Sequence, residues 1–580
     1  MGVVHGTAAL PEVSSHHPHD DLATLDRAIA DLVAAKAGWA EKSPLELAQL
    51  IDRILVDFEP VVQEWIEKSL KAKRIEPGSA RESEEWLGGP FIFFRALRFT
   101  RQTLVQIHKK GRPELKGVRR ENEQQESVRA MPHELFDLFF FPGIEARTWL
   151  EPGQSVSSHQ VAGAAFREQV EGRVCLVLGA GNVSSIAPLD VLYKMFVEKQ
   201  VVVLKMNPVN DYLGPIFAKG FKQLIDMGAL RLVYGGVAEG QHLCYHPDIH
   251  EIHVTGSNHT HDAIVYGVGE EGATRKLERR PRLEKKITSE LGNVSPLVIV
   301  PGPWSEADID YQAHKIVSML ANNAGFNCNA TRVIVNQSSW PLRRKLLDRV
   351  RSIFAKLPTR HAYYPGAEDR YRRFVTDHPE ATQLGSADEG ALPWTFIEGV
   401  DSGATEDIVF KAEAFCSVLA ETTIEASDTA EYLNKATDFL NQHVWGSLNA
   451  CMIIHPKTAR NPAVKEALDH AIQSLRYGTI SINLWPALGY ALGSTPWGAF
   501  PGHESHDVQS GQGVVHNALM LDRPQKTVIR GPFKIWPLAP WFVNHPNPLP
   551  LARSLTYFQL RPKWWGIPKV LASALFARWL

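Results

Sequence analysis

A single cysteine, Cys328, lies in the stretch NNAGFNCNATR, where asparagines flank it and Gly325 permits an unusual backbone turn. These residue types predict a loop between a helix and the strand RVIV, which is a usual position for catalytic groups. A thiol whose pKa is lowered can attack a carbonyl carbon and form a covalent intermediate. Most free cysteines are instead small buried apolar residues, so the neighbours of Cys328 alone do not decide between the two roles.

Two upstream residues could support such a nucleophile. Glu290, in SELGNVSP, precedes a predicted strand and could act as a general base. Asn182, in LVLGAGNVSSIAP, lies between a strand and a helix, and its amide could donate to a developing oxyanion. The same stretch imitates a GxGxxG dinucleotide turn through Gly179, Gly181 and Ser184, but the last glycine is missing. Each signal is weak alone, and they gain weight only if one reaction requires them together.

The elements that must position these residues alternate between strands and helices. Residues 25–110 place apolar side chains three and four apart, which predicts a helical segment. Beyond Arg173, short β-branched runs alternate with amphipathic helices, and a second such region begins at Ser295. The pattern predicts an α/β fold with two doubly wound parallel-sheet lobes, and Cys328 belongs to the second.

The composition excludes several classes of function. The 580 residues include 62 basic and 64 acidic side chains, a balance that argues against a nucleic-acid partner. Five scattered cysteines argue against a disulfide framework or a zinc site, and neither a signal peptide nor a membrane-spanning run is recognisable, so we expect a cytoplasmic protein. His242 and His246 are four residues apart, but Pro247 interrupts the helix that would align them, so no metal site is predicted.

The last sixty residues have a different composition from the rest of the chain. They contain five of the 15 tryptophans and many prolines, which argues against a long regular element. The favoured interpretation is an arm that wraps a neighbouring subunit. The alternative is peripheral membrane contact through GIPKVLASALFARWL, which could form an amphipathic interfacial helix.

The order and spacing of the motifs resemble the aldehyde dehydrogenase superfamily over roughly residues 25–520. Asn182 lies 23 residues before Lys205 in VVVLK, as in that family. The segments GTISINLW and PWGAFPGHESHDVQSGQG resemble its closing motifs. The remaining matches are YGGVAEG with Gly235 and Gly240, HPDIHEIHVTGS with Ser257, ELGN with Glu290, NNAGFNCNATR with Cys328, and KAEAFCSVL with Glu413 and Phe415.

The resemblance implies NAD(P)-dependent oxidation of an aldehyde to a carboxylic acid. Cys328 would form a thiohemiacetal and then a thioester, Asn182 would stabilise the oxyanion, and Glu290 would activate the hydrolytic water. Phe326, Phe415, Trp485 and Tyr490 suggest an apolar or aromatic substrate. The implied cofactor-binding residues are Lys205, Gly235, Gly240, Ser257, Glu413 and Phe415.

Two alternatives to this reaction remain open. An acyl-CoA reductase or CoA-acylating aldehyde dehydrogenase would use the same cysteine with coenzyme A on a long-chain or aromatic acyl group, but Glu290 favours hydrolysis. A non-catalytic scaffold on the same fold is the more remote alternative. NADP is not excluded, because Pro208 stands where many NAD-preferring members carry a glutamate.

The resemblance also implies a domain order and a homodimer or homotetramer. The predicted divisions are a flexible tail (1–20), an NAD(P)-binding domain (21–292), a catalytic domain (293–492), a return to the cofactor and oligomerisation region (493–520), and a C-terminal arm (521–580).

Overall fold

The computed structural model describes residues 15–168, 170–385 and 390–575. The chain begins with the predicted helical segment, in which apolar side chains recur every three or four residues and are buried on one side. Its helices are α1 (Leu22–Ala40), α2 (Pro44–Phe58), α3 (Val62–Ala72), α4 (Glu82–Trp86) and α5 (Ile92–Lys110).

The predicted flexible tail falls partly outside the described residues, which begin at Ser15. The backbone N–H of Asp20 donates to the carbonyl of Tyr234 at 3.1 Å. The backbone N–H of His16 donates to the Asp211 carboxylate at 3.0 Å. Residues 15–20 are therefore bound to the rest of the chain and are not loose.

A small antiparallel element follows the helices. Its strands and short helices are β1 (Arg119–Arg120), β2 (Glu126–Met131), α6 (Asp137–Phe140), β3 (Glu145–Leu150) and α7 (Ala164–Arg167). β3 pairs antiparallel with the strand Pro524–Arg530 and so extends the sheet of the second lobe. The predicted division 21–292 differs from the structure here, because this hairpin pairs with a strand that returns from near the C-terminus.

The first lobe contains a six-stranded sheet, the small sheet. Five of its strands are parallel, so their carboxyl ends share one edge, and this edge is where open α/β sheets bind ligands. The elements are β4 (Val174–Leu178), α8 (Ile186–Leu192), β5 (Val201–Lys205), α9 (Gly214–Gly220), α10 (Lys222–Asp226), β6 (Leu230–Val233), α11 (Val237–Tyr245), β7 (Glu251–Thr255), α12 (Asn258–Tyr266), α13 (Gly269–Leu277) and β8 (Lys286–Glu290).

The second lobe is built on an eleven-stranded sheet, the large sheet. Its central strands are parallel and almost fully buried, which explains their continuous apolar sequences. The elements are β9 (Ser295–Ile299), α14 (Glu306–Ala321), β10 (Thr331–Gln337), α15 (Arg343–Phe354), β11 (Arg360–His361), α16 (Ala367–Asp377), β12 (Thr382–Leu384), β13 (Ala391–Leu392), β14 (Trp394–Val400), α17 (Ile408–Lys411), β15 (Val418–Ile424), α18 (Thr429–His443), β16 (Asn449–Ile453), α19 (Pro456–Ala459), α20 (Pro462–Ser474), β17 (Thr479–Ile482) and α21 (Leu488–Ala491).

The chain then returns to both sheets. The elements are β18 (Trp497–Gly498), β19 (Gly511–Gln512), β20 (Val514–Val515), β21 (Pro524–Arg530), α22 (Leu549–Leu560) and α23 (Ile567–Leu575). β19 pairs with β8, so the small sheet has the order β19-β8-β7-β4-β5-β6, and the large sheet has the order β1-β2-β3-β21-β17-β16-β9-β10-β15-β14-β12. The two-lobed α/β prediction is confirmed. β21 lies inside the large sheet, however, so the arm proper begins at residue 531, not at 521.

The arm covers apolar surface of its own chain. Trp541 packs against Trp485 with ring centroids 5.3 Å apart, and Phe558 packs against Phe136 at 5.0 Å. The described part of the arm therefore finds apolar partners without a second subunit. α22 extends over twelve residues because Pro550 lies in its first turn, where a backbone donor is not needed. Among the described residues, no helix combines the length and the apolar character needed to cross a bilayer.

Candidate active site

Cys328 lies on the turn between α14 and β10, with its side chain half-buried. The loop predicted around it is present. Gly325 adopts a left-handed backbone with φ of 83°, and a Cβ at this position would lie 2.5 Å from the carbonyl oxygen of Cys416. A glycine is therefore required for the close turn that presents the thiol.

Hydrogen bonds fix the backbone on both sides of the thiol. The carbonyl of Cys328 accepts from the Ser295 hydroxyl at 2.9 Å and from the Asn449 amide at 3.2 Å. The carbonyl of Asn329 accepts from the Trp485 indole N–H at 2.8 Å. Since these donors come from the large sheet and the segment after it, the sheet holds the thiol in place.

Arg332 holds the preceding part of the loop. Its buried guanidinium donates to the carbonyl of Cys416 at 2.6 Å and to the carbonyl of Asn327 at 3.4 Å, and it also donates to the carbonyl of Gly325. The sequence analysis gave this arginine no role. Its sequence signal is a permanently charged side chain in the otherwise apolar strand RVIV, and a buried charge requires buried partners.

Glu290 is the last residue of β8 and is 3% exposed. Burial raises the pKa of its carboxyl to about 8, and the negative charge of Asp190 adds to the effect. The Cys328 thiol and this carboxyl lie close enough to affect each other's pKa, and the charge of Glu290 opposes the ionisation of the thiol. Gly511 of β19 packs so closely on β8 that a Cβ there would overlap the carbonyl of Ser289. This close strand contact helps to keep Glu290 away from water.

The thiol of Cys328 is not activated by its protein surroundings. Burial raises its pKa well above the usual range, and the carboxyls of Glu290 and Glu413 raise it further. A lowered pKa was the sequence expectation for a nucleophile, and the chain alone does not provide it. The nearby Glu290 carboxyl is instead a candidate acceptor for the thiol proton.

Asn182 lies on the loop between β4 and α8, and its side-chain amide donates to the carbonyl of Phe326 at 2.9 Å. Its own carbonyl accepts from Lys73, Asn323 and Tyr363 at 3.0 to 3.1 Å. Three donors thus fix the residue beside the cysteine loop. A side-chain amide has two N–H groups, so one remains for another acceptor.

Lys205 ends β5 at the ligand-binding edge of the small sheet. Burial lowers the pKa of its ammonium group to about 8. Its Cε would lie 3.5 Å from a Cβ at Gly240, so the glycine leaves the space around the lysine open. The loop after β6 approaches α11 closely at Gly235, because a Cβ there would lie 2.5 Å from Cγ of Glu239. These three predicted cofactor residues share one edge.

Ser257 is the N-cap residue of α12, and its hydroxyl accepts from the backbone N–H of Thr260 at 3.2 Å. It follows β7 at the same edge of the small sheet. The amino end of a helix carries unpaired N–H groups and a partial positive charge, which suit a phosphate.

Glu413 lies against Gly292, where an added Cβ would collide with its carboxylate. Burial raises the pKa of Glu413 to about 7, although Arg332 and the backbone N–H of Asn293 favour ionisation. Oε1 is buried and has no hydrogen-bond partner within the described chain. An unpartnered buried carboxylate oxygen fits a hydroxyl donor such as a ribose.

An aromatic cluster adjoins the cysteine loop. The ring of Phe326 lies 5.0 Å from that of Tyr363 and 5.8 Å from those of Tyr364 and Phe415. Phe415 has a positive φ of 41°, which is rare outside glycine. We call Phe326, Tyr363, Tyr364 and Phe415 the aromatic cluster.

The sequence analysis grouped Trp485 and Tyr490 with Phe326 and Phe415. In the structure these two side chains pack against other rings. Trp485 packs on Trp541, and Tyr490 packs on His516 with ring centroids 4.5 Å apart. They therefore support the loop and the small sheet from behind.

Comparison with known proteins finds a family match for the part of the chain that carries the site. The model described as "Aldehyde dehydrogenase family" matches residues 155–368, which include Asn182, Lys205, Glu290 and Cys328. Residues 155–368 therefore form an aldehyde dehydrogenase family domain.

Curated aldehyde dehydrogenases are similar over part of their length. N-succinylglutamate 5-semialdehyde dehydrogenase of Novosphingobium aromaticivorans is 28% identical over 191 residues, which are 33% of this chain and 37% of that protein. The 4-trimethylaminobutyraldehyde dehydrogenase of Bos taurus is 32% identical over 140 residues, which are 23% of this chain and 25% of that protein. The matched segments thus span well under two thirds of these relatives.

Solved aldehyde dehydrogenases share the fold over most of the chain. A mutant of aldehyde dehydrogenase C from Pseudomonas syringae, solved with NAD+ and octanal, has a TM-score of 0.58 and 17% identity, with 92% of this chain and 96% of that chain covered. Indole-3-acetaldehyde dehydrogenase, solved with NAD+, has a TM-score of 0.57 and 15% identity, with 89% and 92% covered. At these identities the likeness shows the aldehyde dehydrogenase fold.

A buried polar layer behind Glu290 was missed by sequence reasoning. The Asp190 carboxylate on α8 accepts from the Thr255 hydroxyl at 2.9 Å and lies 3.6 Å from Nε2 of His253 and 3.7 Å from Nε2 of His516. His253 and Thr255 lie in the matched segment HPDIHEIHVTGS, but the match gave them no role, and Asp190 and His516 were not singled out by any motif. The available signal was an aspartate within the apolar helix IAPLDVL.

Asp26, His242 and His246 place one ligand atom each within 4.8 Å of the others. The backbone N–H of Asp248 donates to Nδ1 of His246 at 3.2 Å, so the proton of the neutral ring is on Nε2, which faces Asp26 at 3.7 Å. A protonated nitrogen cannot ligate a metal, and this geometry fits an ion pair better than a chelate.

Proposed function

We propose that the protein oxidises an apolar or aromatic aldehyde to the carboxylic acid with NAD or NADP. The observation that carries this proposal is the placement of the Cys328 thiol near the buried Glu290 carboxyl and beside the cysteine-loop carbonyl that the Asn182 amide holds. A nucleophile, a base and an oxyanion donor, each on a separate element, are the groups that acyl chemistry on a cysteine requires.

In the first step Glu290 accepts the proton of Cys328, and the thiolate forms a C–S bond to the aldehyde carbon. The carbonyl oxygen becomes an oxyanion. The free N–H of the Asn182 amide and the backbone N–H of Cys328 would stabilise it as the thiohemiacetal forms. Losing one donor of this kind typically costs about 2.7 to 4 kcal/mol of barrier.

NAD(P), when bound, supplies the hydride acceptor that converts the thiohemiacetal into a thioester. The edge of the small sheet suits such a dinucleotide: a lysine after a strand, a helix amino end, and a buried carboxylate oxygen without a partner. The residues that would hold it are Lys205, Gly235, Gly240, Ser257, Glu413 and Phe415. Both coenzymes remain in the proposal because Pro208 provides no carboxylate against a 2′-phosphate.

The last step releases the acid. Glu290 first gives the proton taken from Cys328 to solvent. It then takes a proton from water as the hydroxide attacks the thioester carbon, and when the C–S bond breaks the departing thiolate takes that proton from Glu290 and regenerates the cysteine. Because its pKa is about 8, Glu290 can both accept a proton and give it up near neutral pH.

The aromatic cluster supports an apolar or aromatic substrate. The rings of Tyr363, Tyr364 and Phe415 are partly exposed around the buried ring of Phe326, and Arg370 is engaged with the Phe415 ring and nearby carbonyls. No free charge from these residues is left to recognise a charged aldehyde. The relative from Pseudomonas syringae was solved with octanal, which agrees with this choice.

Product analysis tests the proposal. The purified chain is incubated with octanal, phenylacetaldehyde and succinic semialdehyde, with NAD or NADP, and with or without coenzyme A, and products are identified by mass spectrometry. We expect acid from the apolar aldehydes at a rate that coenzyme A does not change. Acyl-CoA as the only product would instead support the CoA-acylating alternative, and the absence of any product would support a scaffold.

The partners proposed with this activity are a second copy or three further copies of the chain, as a homodimer or homotetramer in the cytoplasm. Peripheral membrane contact through the arm is proposed as well. No nucleic acid is proposed as a partner.

A further inference from the structure

We propose that the protein docks on an anionic lipid bilayer through an exposed surface shared by α6 and the end of the arm. We define the docking surface by the side chains of Leu135, Leu138, Phe139, Trp564, Trp565 and Leu575. This inference concerns where the protein acts and does not depend on the reaction proposed above.

Contacts between the arm and α6 join the two parts of the docking surface. The ring of Trp564 lies 4.9 Å from that of Phe136 and 6.3 Å from that of Phe139, which joins the arm to α6. α23 packs against α6 as well. Trp564 and Trp565 are 58% and 75% exposed, and a cluster of large exposed apolar side chains on a folded protein marks an interaction site.

A rigid support holds the patch in place. α22 buries Leu551, Leu555 and Phe558 beneath it, and the hydroxyl of Ser554 is hydrogen-bonded to that of Ser573 on α23 at 3.0 Å. α23 in turn buries Ile567 and further apolar residues. The buried apolar side chains of α23 already pack against the core. The exposed residues of the docking surface are therefore not needed to fill it.

The charge distribution identifies a bilayer as the occupant. The last fifty residues contain six lysines and arginines and no acidic residue, whereas the preceding 530 residues hold 64 acidic and 56 basic side chains. Arg553 and Arg561 are paired with glutamates, but Lys563 and Lys569 have no ion-pair partner within the described ranges. Each lysine near an anionic bilayer contributes about 1 kcal/mol of attraction.

The side-chain types favour lipid over a second protein. Tryptophans prefer the interface between headgroups and acyl chains, where the ring is buried and the N–H stays hydrated. Lys563 lies over the ring of Trp565, with Nζ 5.5 Å from its centroid, so the charge is held at the rim of the apolar patch. An apolar centre with unpaired cations at its edge is the arrangement of interfacial membrane helices.

Vesicle sedimentation tests the proposal with the full chain. Sucrose-loaded vesicles of phosphatidylcholine with about a third phosphatidylglycerol should bind the protein, whereas pure phosphatidylcholine should bind it weakly. High salt should release it, since the Debye length falls to about 3 Å at 1 M. The double variant W564S/W565S should weaken partitioning about tenfold or more, and each of K563Q and K569Q should weaken it about fivefold.

The matched control is Trp536→Ser, because Trp536 is 78% exposed but is not part of the patch. Its partitioning should equal that of the unmodified protein, and light scattering should give all variants the same mass. Absence of binding to anionic vesicles, or an equal loss in the Trp536 variant, would overturn the proposal. A smaller oligomer for W564S/W565S with unchanged vesicle binding would identify the patch as an interface between copies.

Discussion

The negative charge of Asp190 on α8 is, after burial itself, the largest cause that raises the pKa of Glu290 at the end of β8. Burial opposes the ionisation of Asp190, but the neighbouring imidazoles of His253 and His516 outweigh it and hold its pKa at about 2. An ionised carboxylate therefore stands permanently behind the proposed base.

Replacing Asp190 by asparagine should shift the pH profile of acid release. Glu290 must be ionised to act as a base. The rate of acid release by the unmodified protein should therefore rise with pH and level off above about pH 8. Removing a neighbouring negative charge lowers the pKa of Glu290, so the rise should move down by about one pH unit. Single-turnover release measured from pH 6 to 9.5 checks this.

The interpretation of that shift depends on the other charged groups near Glu290. These are Cys328 and Glu413, with His253 and His516 behind Asp190. Asparagine retains an oxygen that can accept from the Thr255 hydroxyl, so the fold should be preserved. Asp438→Asn on the exposed side of α18 is the surface control. A profile that keeps its midpoint while the overall rate falls would show that Asp190 has only a structural role.

Glu290→Gln should separate formation of the thioester from its hydrolysis. The change removes the acceptor of the thiol proton but also one of the charges that raise the thiol pKa, so the thiol should lose its proton to solvent instead, while no base remains to activate water. We expect a burst of reduced coenzyme close to one equivalent, followed by turnover slowed by about a hundredfold or more. Intact-protein mass spectrometry should find the acyl group on Cys328. Unchanged steady-state turnover would contradict the role proposed for Glu290.

Asn182→Ala should slow thioester formation by about a hundred- to a thousandfold, because an oxyanion donor is lost. The amide also donates to the carbonyl of Phe326, so a structural effect must be separated from a chemical one. Alkylation of Cys328 by iodoacetamide forms no oxyanion, and its rate should change little in the variant. Equal losses in both reactions would indicate that Asn182 only shapes the loop.

Arg332→Met should destabilise the fold and loosen the cysteine loop. Three carbonyls would lose a charged donor, and each buried group left unpaired costs about 1 to 3 kcal/mol. Thermal unfolding should show a clear loss of stability, with Arg332→Lys intermediate because a lysine keeps the charge but not the fork of donors. A melting temperature equal to that of the unmodified protein would show that the carbonyls find other partners.

The sequence predicted the parts of the site that lie in short local motifs. Cys328 and Glu290 each sit in a turn or strand end that leaves a readable pattern, and the structure brings them together. Asp190 and His516 are separated by more than three hundred residues and meet only when the segment after β20 packs onto α8, so no local pattern announces them. The sequence prediction placed β21 in the arm, because the partner strands of a β-strand cannot be recognised from the sequence of that strand alone.

The direct passage from β21 into the arm ties the residues of the proposed docking surface to the sheet that carries Cys328. A molecule held at a bilayer by α23 would therefore keep its reaction centre at one height and one tilt above the lipid. An apolar aldehyde dissolved in that lipid would then reach the enzyme by lateral diffusion in two dimensions, so encounter rates would follow its surface density in the membrane and not its small concentration in water.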